Sequence, residues 1–173
     1  MKSYALLCWH MRLVAISLFL LVSACIGPIE TRVDSRGSGG TQPISFASDP
    51  DVIGSAVDAQ KLVAKALAAK GYRAADIADV SLHVTVSDRP AELSLHSGPA
   101  VIAPNSGKKR CAKREYRLGV TLTKIADGAL YYQSHAAEYH CKLTVQQVLP
   151  ALADAALKDI GAPRGAYIIK RPR

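Results

Sequence analysis

The sequence has no run of the roughly 18 apolar residues that a membrane-spanning helix needs. It has no sustained heptad and no repeat of about 20–50 residues, which excludes a helical membrane span, a coiled coil and a solenoid. Aromatic residues make up only 6% of the 173, with a single Trp and two Phe. Acids are also scarce, 14 Asp and Glu against 22 Lys and Arg, for a balance of +8. None of the four cysteines stands in a C-x-x-C pair, so dithiol redox chemistry is not indicated. What is present is 49% hydrophobic residues, too many for disorder and, at this length, enough for one domain core.

The N-terminus carries an address. Residues 13–22 form an apolar stretch preceded by Lys2 and Arg12 and followed by Ser23-Ala24-Cys25. A basic head, an apolar middle and small residues at the cut are the anatomy of a secretory signal. The Cys directly after Ser-Ala resembles the lipobox of bacterial lipoproteins, in which that Cys becomes the lipid-modified first residue. Several acyl chains on one residue anchor stably where a single chain is marginal. Either Met1 or Met11 serves as the start of such a signal. Ile26 rather than Asp after the Cys implies, by the same resemblance, the periplasmic face of the outer membrane.

Residues 25–43 read as a lipidated Cys with a flexible tether rich in Gly, Pro, Ser and Thr, whose random-coil reach is on the order of 20–25 Å. The remaining residues, 44–173, read as one domain. A short strand at 44–47 leads to a helix at 56–70, with Ser55 or Asp58 as its cap and Gly71 as its stop. Val80, Leu82, Val84 and Val86 alternate with polar residues in a strand that Asp88-Arg89-Pro90 ends. After a long loop, 91–109, Tyr116, Leu118, Val120 and Leu122 share one face of a hairpin. Asp127-Gly128 turns it by a two-residue turn or by a three-residue loop with Gly128 left-handed, and the two differ in register. A helix at 145–160, with Thr144 and Gln147 as a capping box and Pro150 as a kink or a later start, precedes a strand at 167–169. The pattern defines an α+β fold, a two-layer sandwich with a mainly antiparallel sheet and two helices on one face.

Ala66-Leu67-Ala68-Ala69-Lys70-Gly71-Tyr72 before Ala78-Asp79-Val80-Ser81-Leu82, then Tyr116-Arg117-Leu118-Gly119-Val120-Thr121-Leu122 and Ala129-Leu130-Tyr131-Tyr132, resemble a family of uncharacterised bacterial lipoproteins, domain of unknown function 4136. The likeness spans about residues 44–165. It implies an envelope lipoprotein and no established reaction, so no catalytic residue carries over. The weakly apolar first strand and the cysteine pair depart from the family pattern.

Cys111 and Cys141 flank the hairpin, within about three positions of direct opposition, and in an oxidising periplasm they are expected to form a disulfide. Together with His140 they match no standard zinc spacing. His83 falls on the wet face of its strand. His135 and His140, five apart, fall on opposite faces of theirs. No nucleophile-base pair, phosphate loop or carboxylate pair emerges, so neither enzyme activity, a metal nor a cofactor is expected. Lys108, Lys109, Arg110, Lys113 and Arg114 concentrate positive charge suited to anionic lipid or lipopolysaccharide. The expected function is a non-catalytic binding or assembly module of the envelope. An accessory subunit of a lipid-export or transport complex and an envelope-polymer hydrolase are the alternatives. The partners are then the membrane, through the lipid, and an envelope protein complex. Nucleic acid is excluded by the export signal and the few aromatics.

Overall fold

A computed structural model describes residues 28–40, 42–91 and 113–172. The chain divides into a main body, Glu30–Ile169, and a second unit made of the two chain ends, Met1–Ile29 with Lys170–Arg173. In chain order the elements are β1 (Ile29–Arg36), β2 (Ser45–Ser48), α1 (Ser55–Ala69), β3 (Arg73–Ala74), β4 (Val80–Pro90), β5 (Arg114–Lys124), β6 (Leu130–His140), α2 (Val145–Ala156) and β7 (Gly165–Arg171). One sheet has the order β3-β2-β4-β5-β6-β1-β7. β4, β5, β6 and β1 pair antiparallel, whereas β2 runs parallel to β3 and β4. Both helices pack on the sheet and on each other, α1 against β4 and α2 against β5 and β6. The expected α+β class is what the chain builds.

Alternation in the central strands accounts for the core. Leu82, Val84, Leu118, Val120 and Leu122 point to the helices and are buried with Val63 and Leu67 of α1 and Leu152 and Ala156 of α2. α1 begins one residue early, on Gly54 without a side-chain cap, so neither Ser55 nor Asp58 holds that place. Its end follows expectation. Gly71 adopts φ 90°, its N–H donates to the Ala68 carbonyl, and the Tyr72 N–H donates to that of Leu67. This is a Schellman closure with Tyr72 packed into the core behind it. A Gly71→Ala variant meets the left-handed penalty and places its Cβ 3.2 Å from Pro43. Its urea midpoint should fall by the equivalent of about 1–2 kcal/mol.

Three expectations are corrected. Ile29–Arg36, placed in the flexible tether, is strand β1. Its inward residues are Thr31, Val33 and Ser35, all buried, and two of them are hydroxyls that find carboxylate partners in Glu138 and Asp159. β4 continues through Asp88-Arg89-Pro90, because β5 supplies partners as far as Arg114. There β4 has lost its neighbour β2, and a Pro is tolerated on the free side. The hairpin is neither of the two loops considered. Lys124 and Ala129 close a four-residue loop in which Gly128 is indeed left-handed, φ 69°. A register shift at Leu122/Thr123 then leaves Tyr131 and Tyr132 both buried.

α2 starts at Val145, with the Gln147 side chain accepting from the Thr144 N–H at 2.9 Å. It runs through Pro150 and stops at Ala156, short of Ile160. Pro150 and Gln146 are both exposed, so the carbonyl that loses its donor faces water.

Candidate binding face

The sheet face away from the helices is polar and crossed by two informative rows. Arg89 of β4, Glu115 of β5 and Tyr139 of β6 stand side by side in register. Two residues further in, Ser87, Arg117, Ala137 and Arg32 of β1 form the next row on that face. Arg89 reaches straight across to Glu115 at 2.8 Å, Arg32 reaches it over β6 from the next row at 2.6 Å, and Arg117 joins at 3.3 Å. The carboxylate is completely covered although it points away from the core. Arg32 also lies over the Tyr139 ring, 4.5 Å from its centroid, an attraction between a cation and the negative ring face.

Burial alone would push the Glu115 carboxyl up. The Arg89 hydrogen bond and the charges of Arg117, Arg32 and Arg89 outweigh it and hold the group below the ordinary carboxylate range. It is therefore ionised at neutral pH. Each guanidinium carries five N–H donors, so one carboxylate cannot satisfy three of them. The result is a set of cations from three strands, fixed in place and in excess of their acid, a geometry suited to carboxylate, sulfate or phosphate groups.

Beside it His135 leans over Gly119, where an added Cβ would meet Thr85 Oγ1 at 2.4 Å and His135 Nδ1 at 3.0 Å. Burial, with the charges of Arg117 and Arg36, lowers the His135 pKa against the opposing pull of Asp34. The imidazole is neutral at pH 7.

Two further polar clusters bury carboxylates as fastenings. On the core side Glu138 accepts from Thr31 and meets His140 Nε2 at 2.7 Å, tying β1 to β6. Asp159, after α2, takes Ser35 at 3.2 Å and Arg164 at 2.8 Å. Burial raises its pKa, but hydrogen bonds from Tyr167, Arg164 and Ser35 lower it further than that. These bonds fix the end of α2 against β1.

Of the residues singled out from sequence, Cys25, Lys108, Lys109, Arg110 and Cys111 lie outside the described residues. Lys113 is exposed just before β5, and Cys141 follows β6 directly. Arg114 opens β5 and donates to Asp88 at 2.5 Å, so strand pairing gives it a dedicated partner. His83 is on the wet face as expected and contacts Asp49 at 2.9 Å. His135 and His140 take opposite faces, also as expected. Among the described residues no group of three metal-ligating side chains converges, and no helix is long and apolar enough to cross a membrane. The Glu115 cluster is the feature missed from sequence. Its signal is the alternation Glu115, Arg117, Gly119, which extends the wet face of β5 back past Tyr116.

Fold and face together define a small α+β domain whose cationic sheet surface carries no helix among the described residues. No family model matches the chain, and no curated protein matches it. Among solved structures it is similar to PelC from Paraburkholderia phytofirmans, a dodecamer. In one crystal form the identity is 14% and the TM-score 0.50, covering 78% of this chain and 99% of PelC. In a second the values are 13% and 0.50, covering 76% and 99%. A PDZ domain protein from Parabacteroides distasonis matches at 8% identity and TM-score 0.57, covering 83% of this chain but only 39% of that one. At these identities the likeness is one of fold.

Proposed function

We propose that this chain is a lipid-anchored protein of the bacterial envelope, attached through Cys25 at the periplasmic face of the outer membrane. It belongs with lipoproteins of the domain of unknown function 4136 kind and acts as a non-catalytic binding or assembly module. The observation that carries the reading is the trio Arg32, Arg89 and Arg117 fixed around buried Glu115 on the sheet face opposite the two described helices. Such a surface recognises an acidic group on a partner and orders none of its own side chains to do so. That a similar fold is solved as a dodecamer supports assembly, and service as a subunit of an export or transport complex is the second reading. The remaining cations, Lys108, Lys109, Arg110 and Lys113, suit an anionic membrane. A Cys111–Cys141 disulfide completes the proposal. Continuing the Arg114↔His140 register sets Cys141 opposite Lys113, two residues from Cys111.

The test is co-purification of tagged protein from detergent-solubilised envelopes, with intact mass, light scattering and a Cys25→Ala control. The expected result is a lipid-shifted mass and either a self-assembly or a stoichiometric partner. Arg117→Gln, which leaves two arginines on Glu115, should weaken that association by roughly tenfold or more with unchanged circular dichroism. A lipidated monomer without a partner would remove the assembly reading, and an unshifted mass would remove the anchor.

A further inference from the structure

The geometry points to an orientation on the membrane: we propose that the sheet end where β1 and β5 begin and β4 and β6 finish rests against an anionic phospholipid surface. The Ile125–Gly128 hairpin loop then faces away from it. The proposal rests on the lipid-anchor reading of Cys25.

Its first support is chain length. Strand β1 takes eight of the nineteen residues that the sequence presents as tether. Glu30, the first residue of the main body, is five residues after Cys25. Five residues in any conformation reach at most about 18 Å. Continuing the Arg32↔Ala137 register puts Glu30 beside Tyr139, at the His140 end of the sheet. The hairpin loop closes the opposite end, and the eleven residues of β5 separate the two by roughly 33 Å. The lipid therefore pulls on one end of the sheet and not on the other.

The second support is charge. Lys113 and Lys142 are exposed at the tethered end, with Arg114, against Asp88 and Glu30. The Arg32, Arg89 and Arg117 trio lies in the next rows and exceeds its single carboxylate. The hairpin end lacks such a trio: at its edge Asp76, Asp79 and Asp127 are matched by Lys70, Arg73 and Lys124, and it exposes Ile77 and Ile125. Near an anionic surface each added cation is favourable and each acid unfavourable. Tether and field thus select the same end. The sheet face opposite the two described helices then stands upright from the membrane.

The test uses the full lipoprotein, purified and reconstituted into vesicles of phosphatidylethanolamine with phosphatidylglycerol or of phosphatidylcholine alone. The photo-crosslinker benzoylphenylalanine is incorporated singly at Lys142, Thr121 or Ile125, and lipid adducts are read by mass. Adducts should form from Lys142 and stay near background from Ile125. The phosphatidylglycerol preference should drop with salt, and about fivefold when Lys113→Gln is added. Adducts strongest from Thr121 would mean the domain lies flat on that sheet face, and strongest from Ile125 that it is inverted. Either overturns the orientation. A lipid-shifted mass with no adduct at Lys142 overturns the orientation alone, and an unshifted mass overturns the anchor beneath it.

Discussion

Glu115→Gln should be the most damaging isosteric change in the sheet, lowering stability at pH 7 by about 3 kcal/mol in urea unfolding. The carboxylate is the common acceptor for Arg32, Arg89 and Arg117, and it is wholly covered. Its replacement by an amide removes the one negative charge among three positive ones and leaves an NH2 group facing further donors. The loss falls at the lower end of the range for broken buried pairs, because the three guanidinium groups are 21–33% exposed and partly rehydrate. The pH dependence fixes the interpretation. The Glu115 pKa is lower in the folded chain than the ordinary value of a glutamate side chain. Its stabilising contribution is therefore complete above the ordinary carboxylate range and fades as pH falls through the depressed folded value. The difference between wild type and variant should be largest at neutral pH and shrink in acid. A difference below about 1 kcal/mol at pH 7 would mean that water holds the arginines as well as Glu115 does, and the fixed cationic face would lose its basis.

How much of this was legible depends on what each residue faces. Leu118, Val120 and Leu122 meet an apolar layer, so alternation announces them, and Gly71 announces the end of α1 through its backbone alone. β1 was hidden because Thr31 and Ser35 bury hydroxyls against carboxylates more than 100 residues away, and local composition then reads as linker. β3 was hidden for another reason. It is two residues long and is held by backbone bonds, from the Arg73 N–H to the Ile44 carbonyl and from the Ala75 N–H to that of Phe46, which leave no trace in side-chain pattern. The Glu115 cluster required knowing that Arg32 stands two strands away, and that knowledge is equivalent to having found β1. A site assembled from a missed strand is itself missed. The basic run was the more visible feature only because its charges are adjacent in sequence, whereas the arginine trio is adjacent only in the sheet.

Removing either cysteine of the proposed Cys111–Cys141 pair is expected to have a comparable effect, about 3–4 kcal/mol, for a different reason. The bond would close a loop of roughly 30 residues, and in the chain-entropy model its loss returns that conformational freedom to the unfolded chain. The folded hairpin should change little, since its ladder from Arg114↔His140 to Leu122↔Tyr132 is complete without it. The register makes the geometry demanding. Diagonal neighbours two residues off direct opposition in an antiparallel pair lie about 7–8 Å apart, just beyond the usual Cα separation of a disulfide. Closure therefore calls for the chain to leave the ladder before Arg114, which is where β5 begins. Cys111→Ser and Cys141→Ser should then show equal drops in thermal midpoint, and the double variant no further drop, since one bond is lost in all three. Reduction of the wild type should reproduce the same shift. Thiol titration of unreduced, denatured protein should find neither of these sulfurs reactive. Two reactive thiols, or additive losses in the double variant, would show two cysteines with no bond between them, and the hairpin would then hold by its ladder and core alone.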